Sequence, residues 1–316
     1  MATLFWGGNF VVGRLFRQDI TPIALTFWRW LLALAILLPL SAAEMRREWR
    51  LILHSWKLIV GLSVSGITAY TICVYEAVRI TSAVNAALFL ATLPLMIVVA
   101  NWLINRDRIT GNQMLGMAIS FGGAVVVVAH GSLALLLMLR FNIGDLWMLA
   151  AVPLWAIYAV LQRRRPTAIS PLTLVTASVA AAQLLLTPAY LWETAHGGQT
   201  HWNIGTIFAV GYTAVLASAV SYVLWNRGAA ALGPNRAGIY INLIPVFSAL
   251  LAVLILGETL ALYHIIGAAL VACGIGVAHW HGRLPVPVRH YRDMMFGLLG
   301  KLKFRQRRPS GHVELP

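Results

Sequence analysis

The chain is a succession of apolar runs, and their lengths constrain the fold more than any other feature. Runs at 2–16, 20–40, 56–78, 81–104, 113–130, 143–162, 169–192, 203–225, 237–257 and 261–281 are separated by short polar links. About 20 predominantly apolar residues carry a helix across the hydrocarbon core. A crossing segment must satisfy its backbone hydrogen bonds internally, so each run reads as a helix. The expected fold class is an all-α membrane protein with ten transmembrane helices. The first run is short: about 15 residues at 1.5 Å each reach ~23 Å against a core of ~30 Å. Either it tilts into a thinned region or the natural start lies upstream of Met1. Charged residues are only 11% of the chain, against roughly a quarter in soluble domains, which excludes an ordinary soluble fold. The opening "MATLFWGGNFVVGRLF" has no basic residue before its apolar part and no small-residue cleavage site, so it reads as a retained segment.

Lys and Arg in the links set the orientation. With the N-terminus inside, the inner links hold Arg46, Arg47, Arg50, Lys57, Arg106, Arg108, Arg163, Arg164, Arg165, Arg227 and Arg236. The tail after His281 adds eight more, giving nineteen inside against four outside (Arg14, Arg17, Arg79 and Arg140). Both termini are therefore expected in the cytoplasm. The net charge of +14 belongs to the membrane surface rather than to nucleic acid. Residues 282–316 are basic, with Tyr291, Met294, Met295, Leu298, Leu299 and Leu302 at helical spacing. They read either as an interfacial helix on the anionic inner leaflet or as a solvated tail. Cys73 and Cys273 fall inside apolar runs with no metal or disulfide spacing and read as small hydrophobes.

The sequence also repeats itself. A shift of 149 places Trp6 on Trp155, Pro22 on Pro171 and Pro39 on Pro188. A shift of 151 places Pro94 on Pro245, Asp107 on Glu258, Gly116 on Gly267 and Gly123 on Gly274. Five runs per half is an odd number, so the halves must be inverted, with a site expected near the midplane between them. The expected organisation is a first repeat over 1–130, a link over 131–142, a second repeat over 143–281 and the basic tail. Two stripes of small residues, Gly116–Ser120–Ala124 and Ala268–Ala272–Gly276, read as close helix packing. Pro94 and Pro245 should kink their runs or free a carbonyl, for gating or for static packing. Asp107 and Glu258 sit in the tight links before the last run of each half, where capping the following helix is the preferred reading and gating the minor one.

Arg29 lies near the middle of the second run, between Trp28 and Trp30. An arginine at that depth costs a few kcal/mol or more, so it should face the bundle interior or a wet cavity and mark a site. Its planar fork suits a carboxylate or phosphate; the alternative is that it ties helix-end carbonyls. Trp6, Asn9, Trp155, Tyr158 and Gln183 should lie at similar depth on other helices, an aromatic and sparsely polar wall suited to a small organic ligand. Each of these aromatics can equally be packing. Glu76 and Arg79 are three apart and should pair along one helix face. The links hold no phosphate loop, metal cluster or nucleophile–base pair, which argues against an enzyme, a cofactor or direct use of ATP.

Several stretches carry a family resemblance. "LFWGGNFVVGR" and "TPIALTFWRWLLA" resemble the first two helices of EamA-type permeases of the drug/metabolite transporter superfamily. Residues 86–128 and 237–277 are similar to the closing hairpin of each EamA repeat. The resemblance implies ten helices in two inverted five-helix repeats and a carrier for small metabolites, usually an exporter. Two positions depart from the pattern: "NRDRIT" replaces the usual Gly-Glu pair, and Ser178 stands at the position equivalent to Arg29. The first run also lacks the deep glutamate of the small multidrug relatives, which argues for an anionic or zwitterionic ligand. The expected function is secondary transport of amino acids or related carboxylates, outward across an inner membrane, by alternating access. The rival expectations are a lipid-carrier flippase and a non-transporting receptor or assembly protein.

Overall fold

The computed structural model describes residues 1–15, 19–138, 141–198, 200–257 and 259–280. The basic tail and Glu258 therefore lie outside the described residues, and with them the interfacial helix and one of the two capping expectations. Among the described residues the chain is helical throughout. The elements are α1 (Ala2–Leu15), α2 (Pro22–His54), α3 (Trp56–Ile80), α4 (Ala83–Ala91), α5 (Leu93–Asn105), α6 (Gly111–Val128) and α7 (Leu133–Leu137). They continue as α8 (Ile143–Leu161), α9 (Pro171–Ala195), α10 (Ile204–Leu232), α11 (Pro234–Ile239), α12 (Leu243–Leu256) and α13 (Leu262–His279). Among the described residues, eight helical stretches are long and apolar enough to cross a membrane, and the bent pair of α4 and α5 makes a ninth. The 14 residues of α1 reach about 21 Å, short of the ~30 Å core.

Start signals are local and repeat between the halves. α2 and α9 each open with a hydroxyl N-cap followed by proline, Thr21–Pro22 and Ser170–Pro171, and each cap oxygen accepts a first-turn N–H. Proline suits the first helical position because its missing N–H would be unpaired there anyway. α4 and α5 meet at Thr92 with a bend of 41°, and Pro94 sits in the first turn of α5, as its expected kink requires. Pro245 occupies the corresponding place early in α12, just after the tight turn Tyr240–Asn242.

The packing follows a two-fold exchange of the halves. α1 packs on α12 as α8 packs on α5, α3 on α8 as α10 on α1, and α2 on α10 as α9 on α3. α2 packs on its counterpart α9, and α6 on its counterpart α13. At the last crossing a Cβ on Gly123 would lie 2.7 Å from the Gly267 carbonyl oxygen, and one on Gly267 would lie 2.8 Å from that of Gly123. Gly116 and Gly274 meet in the same reciprocal way, a Cβ on Gly274 falling 2.5 Å from the Gly116 carbonyl oxygen. Backbone-to-backbone approach of this kind is what small residues provide where lipid supplies no hydrophobic drive.

Three expectations are corrected. The second run was expected to end near Leu40, but α2 continues to His54. The apolar criterion marks hydrocarbon rather than helix, and the good helix formers of "SAAEMRREWRLILH" carry the helix onward. On α13 the contact face is Gly267, Val271, Gly274 and Ala278, whereas Ala272 and Gly276 are exposed; strict four-residue spacing selected a neighbouring face. Gly116–Ser120–Ala124 on α6 is buried as expected. Finally, α6 is capped by Thr110 with Gln113, not by Asp107. Asp107 instead pairs with Arg163 at the end of α8 and accepts from Asn101 Nδ2 at 3.3 Å. Asn101 also donates to Asn235 at 2.9 Å, so this polar knot joins the two halves. The buried Cys73 behaves as a small hydrophobe, while Cys273 is exposed on α13.

Candidate functional site

Arg29 projects from α2 into the bundle with 5% of its surface exposed. Its Nε donates to Ser218 Oγ at 2.8 Å and its Nη1 to Tyr75 Oη at 2.5 Å. The guanidinium carbon lies 5.3 Å from the Trp30 ring centroid and 5.9 Å from that of Tyr75. Both hydrogen-bond partners are neutral hydroxyls. The ion pairs among the described residues join Arg47 to Glu48, Arg79 to Glu76 and Arg163 to Asp107. None reaches Arg29, so its charge is solvated by dipoles and ring faces alone. A buried cation left without a carboxylate favours an anion brought from outside.

Beside it stands an aromatic cluster built from both halves. Trp6 meets Trp155 edge-on at 5.2 Å and Trp225 at 5.5 Å. Trp155 also packs against Tyr70, Tyr158 and Tyr222, and Tyr222 against Trp30 at 4.7 Å. Trp30, whose ring lies beside the Arg29 guanidinium and meets Tyr222, connects the cation to the cluster. Such offset and edge-to-face ring pairs give a rigid apolar wall with polar tips.

Two widened helical turns position this wall. They lie at Val64–Thr68 in α3 and Thr213–Val220 in α10, starting 149 residues apart like Trp6 and Trp155. A widened turn frees carbonyls from the helical ladder and is frequent at functional sites. Here the Trp6 indole N–H donates to the Ala217 carbonyl at 2.9 Å, and Tyr222 Oη donates to the Gly66 carbonyl at 2.6 Å. Gly66 is required, because a Cβ there would enter the Tyr158 ring. Ser218, the partner of Arg29 Nε, sits in the second of these turns.

The structure brings Arg29, Trp6, Trp155 and Tyr158 together. Tyr158 donates to Asn226 Oδ1 at 3.0 Å. Asn9 is half-buried on α1. Gln183 is buried in the seam between α9 and α2, where its amide N–H donates to the Phe27 carbonyl at 3.5 Å and its amide oxygen has no partner. Ser178 is buried with its hydroxyl unpartnered, and its carbonyl accepts from Ser63. Sequence reading missed Trp30, Tyr70, Tyr75, Ser218, Tyr222 and Trp225. Trp30 adjoined Arg29 and was legible as its neighbour; the others depend on how α3 and α10 face α2. Glu76 and Arg79 pair at 3.1 Å, as their spacing predicts.

The α2–α9 pair that carries Arg29 is fastened at both ends. Thr21 Oγ1 donates to Glu193 at 2.6 Å, and Ser170 Oγ donates to Glu44 at 2.5 Å. The shift of 149 relates Thr21 to Ser170 and Glu44 to Glu193, so the signal was present in the repeat. Each carboxylate also lies at the positive end of the opposing helix dipole. Converting Glu44 and Glu193 together to Gln is expected to lower the thermal midpoint, each bond contributing about 1 kcal/mol or more. An unchanged midpoint would show that packing alone holds the pair.

Two pseudo-symmetric helical halves set around a buried cation and an aromatic cluster define a class, the two-repeat helical membrane proteins. The EamA-like transporter family matches residues 1–129 and again 142–279, and the chain belongs to that family. It is 27% identical over 284 residues to the uncharacterized transporter YyaM of Bacillus subtilis, covering 90% of this chain and 92% of that one. An uncharacterized transporter of Archaeoglobus fulgidus is 26% identical over 281 residues, covering 87% and 93%. A solved protein crystal structure superposes with a TM-score of 0.74 at 19% identity, covering 88% of this chain and 94% of that one. The solved structure shares the fold, the two sequence relatives are named transporters, and the family is one of transporters rather than enzymes.

Proposed function

We propose that this protein is a secondary transporter that exports small carboxylates, amino acids or related acids, across a bacterial-type inner membrane. Ten crossings would form two inverted five-helix repeats, over 1–130 and 143–281, with both termini cytoplasmic and the basic tail on the anionic inner leaflet. The repeats rock about the α2–α9 and α6–α13 pairs to alternate access. The observation that carries this reading is Arg29: a buried cation, free of any carboxylate among the described residues and set against an aromatic wall. Arg29 binds the substrate carboxylate through its fork, and the rings hold the apolar body. Asp107, in its knot with Arg163 and Asn235, is a candidate cytoplasmic closure.

Counterflow in proteoliposomes tests this directly. Wild-type protein is expected to exchange a labelled carboxylic acid and to ignore the neutral amide of the same skeleton. Equal exchange of acid and amide would remove the anion role. Failure of well-folded protein to exchange any acid would transfer the weight to lipid handling, with lipid flipping assayed next, or to a non-transporting receptor role.

A further inference from the structure

Three indole donors stand out in the aromatic cluster. Trp30, Trp155 and Trp225 each hold a buried indole N–H with no hydrogen-bond partner; they are 0%, 3% and 5% exposed. An indole nitrogen and a guanidinium only donate. The buried acids among the described residues are Glu48 and Asp145, and both are engaged at helix ends. Glu48 accepts the Ser170 N–H at 3.2 Å, and Asp145 accepts from Thr81, Asn85 and the Asn142 N–H. The cluster thus holds three unpaired indole donors and, among the described residues, no fixed negative charge.

The repeat isolates one of these donors. Trp6 and Trp155 are counterparts, yet the Trp6 N–H is taken by the Ala217 carbonyl while the Trp155 N–H has no partner. Thr68, the counterpart of Ala217, also has its side-chain hydroxyl unpartnered. Buried unpaired donors are costly, and each one in a folded protein calls for a reason. An oxygen-rich ligand supplies it. An α-ammonium would instead bring more donors and a second positive charge close to Arg29 in a poorly solvated site, with no carboxylate among the described residues to receive it.

We infer that the substrate is a small carboxylate with a second acceptor oxygen beside the acid group and no ammonium, a 2-oxo acid rather than the corresponding amino acid. This rests on the reading of Arg29 as the carboxylate anchor. Arg29 takes the carboxylate, and the Trp155 and Trp225 N–H groups donate to the oxo oxygen.

The test is proteoliposome counterflow with three probes of identical side chain: the 2-oxo acid, the simple acid lacking the oxo group, and the amino acid. The 2-oxo acid is expected to exchange at least about tenfold faster than either of the others, the worth of one well-placed hydrogen bond to a buried donor. Trp155→Phe keeps the ring and removes the N–H, and is expected to erase the preference for the oxo acid over the simple acid. Trp225→Phe repeats the experiment at the second donor, and thermal midpoints verify folding of both variants. An amino acid exchanged as fast as its oxo acid would overturn this inference and leave the Arg29 reading standing. Equal loss for the oxo and simple acids in both variants would overturn the donor assignment. Exchange of none of the three by folded wild-type protein would overturn the underlying reading as well.

Discussion

Arg29→Ala protein is expected to lose about two orders of magnitude of carboxylate exchange, equivalent to about 3 kcal/mol of lost ligand interaction. A charge-assisted bidentate contact is worth roughly that much, since hydrogen bonds to charged groups contribute about 1.5–3 kcal/mol. Stability should change far less. Removing the side chain strands the Tyr75 and Ser218 hydroxyls, but it also relieves the cost of holding a cation in the bundle, a few kcal/mol of opposite sign. Arg29→Lys keeps the charge and loses the fork, and should fall between wild type and alanine. Exchange rates and thermal midpoints measured on the same preparations decide the matter. A variant that exchanges normally, or that loses folded protein in proportion to activity, would remove Arg29 from the ligand.

The second large effect belongs to the α6–α13 crossing. Gly123→Leu is expected to abolish monodisperse folded protein, because even its Cβ would lie 2.7 Å from the Gly267 carbonyl oxygen and 2.8 Å from the Val271 nitrogen. Neither atom can yield without moving a helix backbone, so the cost should exceed the 1–3 kcal/mol typical of overpacked side chains. Gly276→Ala, on the same α13 but with nothing within 4 Å of the added carbon, should instead stabilise slightly, by up to about 1 kcal/mol of helix propensity. Size-exclusion profiles and thermal midpoints of the two variants give the comparison. Normal folding of Gly123→Leu would mean that the two helices do not approach this closely.

Much of this architecture could be read from the chain because it depends on local composition and on self-similarity. Burial of apolar side chains in lipid is decided by run length, so the helices are found from hydropathy. The repeat is visible because prolines and glycines punctuate backbones and recur at fixed shifts. Arg29 was legible because a charge inside an apolar run has few permissible environments. The link residue Asp107 was misread because a carboxylate before a helix is compatible with capping it, and only the approach of α8 brings Arg163 into competition.

What the sequence by itself determined is therefore the class of fold, the helical segments, the twofold relation between the halves and the presence of one central cation. The tertiary structure decided which face of each helix meets which neighbour. It chose Gly267 and Gly274 over Ala272 and Gly276, matched Glu44 and Glu193 to opposite caps, and opened helical turns at Val64–Thr68 and Thr213–Val220. It also brought Tyr75, Ser218, Tyr222 and Trp225 around Arg29 and Trp155. The physical reason is that in lipid every face of an apolar helix is equally content to be buried, so hydropathy carries no rotational information. Backbone approach, shape and the pairing of scarce polar groups fix the rotation, and these exist only once the helices are assembled.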